Sequence, residues 1–198
     1  KSNKDFNATI YRDNMGVPHI FGKTDADAVF GLAYAHAEDD FKTIQDLLMG
    51  ARGILGSVYG AKFAPVDYYV HLIGVWDDIN DRYEKEIPVE IKKICDAYAA
   101  GINKYASENK KDRIARLYPL HGRDIIAGWM YQLPYLYGIE GILAKLFKDQ
   151  KPSFSYLEST FRKDLDPLNI DLIGSNVIGV SPKRSADGFT RLLVNTHQ

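Results

Sequence analysis

The sequence predicts an α+β chain: a mostly helical body behind a small N-terminal β-hairpin, then a second β-hairpin at its end. Three observations predict it. Apolar residues recur at spacings of three and four through most of residues 24–147, the period of a helix with one buried face. Short β-like runs flank turn strings at 8–21 and again at 176–194. Of the 198 residues 45% are apolar and 26% charged, enough to bury a sizeable core in one or two domains.

The elements follow in order. Ala8-Thr9-Ile10-Tyr11-Arg12 and Val17-Pro18-His19-Ile20-Phe21 flank Asp13-Asn14-Met15-Gly16, a good hairpin turn, and Pro18 places its strand at an edge or a bulge. Thr24 caps a helix with Asp25 and Asp27 in its first turn, where negative charge is favoured. Phe30, Ala33, Ala37, Phe41, Ile44 and Leu48 form its apolar stripe, which ends near Gly50. A glycine-punctuated bend follows from Arg52 to Gly60, and residues 67–79 read as one aromatic-rich helical segment. Pro88 suits the first position of the next helix, whose stripe is Ile91, Cys95, Tyr98, Ile102 and Tyr105. After the polar loop 109–112, Pro119 and Gly122 end a short element. Asp124 starts an apolar aromatic segment interrupted by Pro134, and 138–147 read as another helix. Residues 151–171 have weak periodicity. The last part is a run from Asn176 to Val180, a turn at 185–188 and a second run, Leu192-Leu193-Val194.

Composition excludes several classes. The 25 basic and 26 acidic residues balance to −1, so neither nucleic acid nor an anionic membrane surface is expected as partner. No apolar run approaches the roughly 20 residues of a membrane-spanning helix. Cys95 is alone, which excludes an internal disulfide. Lys1-Ser2-Asn3-Lys4 has no apolar core behind it and reads as a trimmed end, not a signal peptide. The five histidines lack the paired spacing of metal ligands, so no metal site is expected. Glu38-Asp39-Asp40 reads as a solvated or salt-bridged helix face, with acid–base work as the other reading.

Gly174-Ser175-Asn176 carries the candidate chemistry. If the Gly174–Ser175 peptide is cut, Ser175 gains an α-amine beside its hydroxyl. Such an amine titrates at about 7.7–8.0, close to ideal for a general base at neutral pH. One residue then supplies nucleophile and base together. The same string also fits a polar turn before a strand, and both readings stand at this point.

Several segments, in order, resemble the penicillin acylase family of N-terminal nucleophile hydrolases. Asp13 to Ile20 matches its opening Asp-x-x-Gly-Val-Pro-His-Ile, and Gly31 to Asp39 matches its next helix, although Asp40 stands where the family commonly has arginine. Asp96-Ala97-Tyr98-Ala99-Ala100-Gly101-Ile102-Asn103 is close to its Ala-Tyr-x-x-Gly-Val-Asn helix, and Gly174-Ser175-Asn176 falls where its precursors join α- and β-subunits. Two strings depart: the common Ser-Asn-x-Trp is Ser175-Asn176-Val177-Ile178, and Asn-Asp-Pro-His is Asn195-Thr196-His197-Gln198.

The resemblance implies an amidohydrolase in an αββα sandwich. Residues 1–174 would be the α-subunit-like helical region, with any linker, and 175–198 the first, incomplete β-subunit hairpin. It implies self-cleavage at Gly174/Ser175, Ser175 as catalytic nucleophile, and His197 bordering the pocket with its backbone carbonyl on the serine amine. Leu133 and Tyr137 would line the acyl pocket, with Leu136 in place of an arginine; these side chains also fit a plain core reading. The family's calcium carboxylate position becomes Leu143 and Glu140 is a turn away, so no calcium site is predicted and the chemistry needs no cofactor. Expected partners are the remainder of the β-subunit, which holds the oxyanion-hole donors, and a small N-acyl amide: a penicillin, a cephalosporin or an N-acyl-homoserine lactone. The implied location is periplasmic or secreted. The other reading is a non-catalytic helical binding module or inactive fragment.

Overall fold

The structure is a computed structural model that describes residues 6–137, 139, 176–186, 188 and 191–195. Packing divides the chain into two units, Lys1–Ser153 and Phe154–Gln198.

In the first unit, β1 (Ala8–Arg12) pairs antiparallel with β2 (Pro18–Gly22), Ile10 opposite Ile20. Asp13 makes the turn: its Oδ1 accepts the N–H groups of Met15 and Val17 at 2.8 and 3.0 Å. Gly16, at φ 84°, supplies the left-handed residue. Burial alternates along both strands, so Ala8, Ile10 and Ile20 face the helices while Tyr11, His19 and Phe21 face out.

Helix α1 (Asp25–Ala51) starts as expected, at a capping box in which Thr24 accepts from the Asp27 N–H and Asp27 accepts from Thr24. Its expected stripe is buried from Ala33 through Leu48. The period did not foretell a kink at Asp40, whose backbone is non-helical (φ −149°, ψ 64°). The Asp40 carboxylate accepts the Thr43 N–H at 3.2 Å, as an N-cap would, and restarts the helix.

The bend after α1 holds a short helix α2 (Gly56–Tyr59). The segment expected as one helix at 67–79 is two, α3 (Ala64–Leu72) and α4 (Val75–Glu86), because Gly74 takes φ 69° between them. Helix α5 (Val89–Glu108) begins one residue later than expected. Pro88 is its N-cap: its ψ of 145° is extended, while its carbonyl already accepts the Lys92 N–H. Ile91, expected in the buried stripe, is 42% exposed; Ala97, Ala99 and Gly101 are buried instead. Small residues are buried because α5 packs chiefly on α1 at close range. A Cβ at Gly101 would lie 2.3 Å from the Phe30 carbonyl oxygen and 2.8 Å from the Ala33 Cβ.

Helix α6 spans Gly122–Leu136, so Gly122 opens a helix and does not close an element. Nor does Pro134 interrupt it; the helix runs two residues further, and the Pro134 carbonyl accepts the Tyr137 N–H. The described core is centred on Met49, Tyr69, Val70, Val75, Ile102 and Leu117. Among the described residues no helix is long and apolar enough to cross a membrane.

In the second unit, β3 (Asn176–Val180) pairs antiparallel with β4 (Arg191–Asn195), Asn176 opposite Asn195 and Val180 opposite Arg191. The expected turn carries Gly188 at φ 74°. The expected helix at 138–147 lies outside the described residues, Ile139 apart.

Gly101→Ala separates two opposing effects. Alanine favours a helix interior by roughly 0.5–1 kcal/mol, whereas overpacking costs about 1–3 kcal/mol. The contact is with backbone, so packing should win and the urea midpoint should fall; a rise would show that α1 and α5 do not meet this closely.

Candidate active site

Helix α6 carries the described part of the candidate site, and its start is fixed by charge. Arg52, at the C-cap of α1, directs its guanidinium at Asp124 in the first turn of α6. Nε meets Oδ1 at 2.6 Å and Nη2 meets Oδ2 at 2.8 Å, a bidentate pair. Nη1 also donates to the Leu117 carbonyl at 2.6 Å and Nη2 to that of Pro119 at 3.1 Å. Asp124 is 3% exposed, and its Oδ2 accepts the His121 N–H at 2.8 Å. Two side-chain amides hold the rest of the α5–α6 connection. Gln45 accepts the Ile114 N–H and donates to the Asp112 carbonyl. Asn103 accepts the Leu120 N–H and donates to the Leu120 carbonyl, both at 2.8 Å.

The two sides of α6 differ. Tyr131 packs inward with Tyr69 of α3 and Tyr135, ring centroids 6.0 and 5.5 Å away. Gly50 admits it, since a Cβ there would lie 2.9 Å from the Tyr131 ring. Burial pushes the Tyr131 hydroxyl pKa well above its ordinary value. Leu133 and Tyr137, the expected acyl-pocket residues, are 47% and 73% exposed within this unit. Trp129, one turn earlier, is 63% exposed and continues the same i, i+4, i+8 row. Trp129 escaped the sequence reading, although its spacing from Leu133 was the available signal.

Gly174, Ser175 and His197 lie outside the described residues, as do Glu140 and Leu143. In sequence, Ser175 directly precedes β3 and His197 follows β4 by two positions. Of the acidic run at 38–40, Glu38 and Asp39 form a salt-bridged face, with Arg12 Nη2 3.1 Å from Glu38 and 2.9 Å from Asp39, while Asp40 serves the helix restart. Hydrogen bonds to Glu38 and then Asp39 raise the Arg12 pKa further. Cys95 is buried and its thiol pKa is raised by that burial, as for an inert core thiol.

The sequence model of the penicillin amidase family matches residues 7–198. The chain belongs to this family. Acyl-homoserine lactone acylase PvdQ of Pseudomonas fluorescens is 25% identical over 212 residues, covering 96% of this chain and 27% of the relative. Acyl-homoserine lactone acylase QuiP of Pseudomonas syringae pv. tomato is 34% identical over 99 residues, 50% of this chain and 12% of the relative. The chain thus spans well under a third of either protein. A thermostable penicillin G acylase from Alcaligenes faecalis matches in fold with a TM-score of 0.54 at 20% identity, over 81% of this chain and 85% of that one. Its likeness supports the mostly helical architecture with antiparallel strand pairs.

Arg52→Ala leaves Asp124 buried without its counter-charge. Breaking such a pair costs about 3–5 kcal/mol, so the urea unfolding free energy should fall by that order. Arg52→Lys restores charge without the fork and should recover only part. Unchanged stability of Arg52→Ala would show that the pair does not anchor α6.

Proposed function

We propose that this family member is an acylase that hydrolyses an N-acyl amide, such as an N-acyl-homoserine lactone or a penicillin, through a self-generated N-terminal Ser175. The observation that carries the reading is the family match running through the Gly174-Ser175-Asn176 string to the end of the chain, with a β-hairpin starting at Asn176. The names of the PvdQ and QuiP relatives support the acyl-homoserine lactone class.

In this reading Ser175 Oγ attacks the Gly174 carbonyl carbon, and the peptide becomes an ester as the amine is released. Water hydrolyses the ester, leaving a carboxylate on Gly174 and a free α-amine on Ser175. Oγ then attacks the substrate amide while the α-amine takes its proton and passes it to the leaving amine. Water enters the acyl-enzyme, the acid departs and Oγ is restored. The His197 carbonyl orients the amine, and donors farther along the β-subunit hold the oxyanion. Leu133 and Tyr137 form an apolar wall for the acyl group. The hairpin 175–198 belongs to an αββα sandwich completed by the remainder of the β-subunit. The enzyme is periplasmic or secreted, and its chemistry needs no cofactor.

In a full-length precursor Ser175→Ala should leave one uncut chain by intact mass, while Ser175→Cys retains a nucleophile and should still be cut. Normal cutting of the alanine variant would identify an external protease. His197→Ala should lower kcat less than loss of Ser175 Oγ, because the backbone carbonyl survives the substitution. Leu133→Ala and Tyr137→Ala should redistribute acyl-chain preference in a substrate panel, by about 1–3 kcal/mol per methylene-sized change. Lower stability with an unchanged acyl profile would assign both residues to packing.

A further inference from the structure

We propose that a cleft on the first unit binds a small organic anion with a flat apolar body. The cleft is an open one of about 860 Å³ between α4, the start of α5, the end of α1 and the segment leading into α6. That volume lies within the roughly 300–1,000 Å³ of small-molecule sites. None of its lining residues is a candidate for the acylase chemistry or the acyl wall, so the inference stands apart from the proposed reaction.

Trp76 and Ile54 supply an apolar wall. The indole is fixed, since its Nε1 donates to the Ala51 carbonyl at 2.8 Å. Around this wall the charges do not cancel. Arg52, Lys92, Arg116 and Arg123 face Glu84, Asp96 and Asp124. Asp124 is taken by the Arg52 fork. Glu84 serves two cations at once, Arg123 at 2.8 Å and Lys92 at 2.9 Å, and their hydrogen bonds, that of Arg123 first, lower its pKa. Asp96 accepts the Gly122 N–H at 3.1 Å, so it already caps α6. Arg116 has neither an ion pair nor a hydrogen bond among the described residues. Asp96 has no counter-ion among the described residues, yet four cations against three carboxylates leave the lining with a net positive charge, and Arg116 offers planar donors that match a phosphate or carboxylate. A cation would meet repulsion here. A fully apolar ligand would have to desolvate these charges without pairing them.

Isothermal titration of the full-length protein with phenyl phosphate tests the site, with inorganic phosphate and benzamidine as controls. Phenyl phosphate should bind saturably, more tightly than inorganic phosphate, and more weakly as salt is added. Arg116→Ala should weaken it roughly tenfold, the worth of one charge-assisted hydrogen bond, with an unchanged thermal midpoint. Arg116→Lys should recover part of the loss. The proposal is overturned by absent binding, by equal binding of benzamidine or inorganic phosphate, or by unchanged affinity in Arg116→Ala.

Discussion

The buried pair between Arg52 and Asp124 is the interaction on which the helical unit most depends. Arg52 closes the end of α1 with its backbone N–H, while its guanidinium donates to the carbonyls of Leu117 and Pro119 and fixes the first turn of α6. Taking the Asp124 carboxylate out of water is costly, and such a pair alone is weak evidence of net stability. Here the geometry answers that cost, because each carboxylate oxygen and each guanidinium nitrogen has a named partner. Without the pair, nothing else described would hold the Asp124 carboxylate except the N–H of its own cap. The orientation of α6, and with it of Leu133 and Tyr137, follows from this point.

The strings that carry the family resemblance are mostly scaffold. Arg12, beside the first string, ties the hairpin to Glu38 and Asp39 in the second. His36 of the second string lies 2.6 Å from the Tyr98 hydroxyl of the third. Gly101 of the third lets α5 close on α1, and Asn103 clamps Leu120 before α6. These residues bring the N-terminal hairpin, α1, α5 and α6 into one body. Their chemistry is that of packing and backbone satisfaction, and the candidate nucleophile is found elsewhere in the chain.

Much of this was legible in the sequence. Both hairpins, the Thr24 cap and the α1 stripe follow from local turn chemistry and apolar period, and the structure places them as read. What escaped depended on distant partners or on one backbone angle. The kink at Asp40 and the break at Gly74 are single-residue events that a period cannot register. Ile91 fitted the stripe but is exposed, since small residues define the real contact face of α5. Arg52 and Asp124 stand 72 residues apart, and no local spacing links them. For the site, Leu133 and Tyr137 were reached through resemblance, whereas Trp129 needed the helix to show that it shares their row.

The central claim is that Ser175 is the acylated residue, and trapping its acyl-enzyme tests it most directly. Full-length enzyme mixed with an N-acyl-homoserine lactone and quenched in acid during turnover would be digested and its peptides weighed. The account predicts the mass of the acyl group on the peptide that begins at Ser175, lost again as substrate is exhausted. Turnover with the adduct on another residue, or with no Ser175 N-terminus in the active protein, would contradict it.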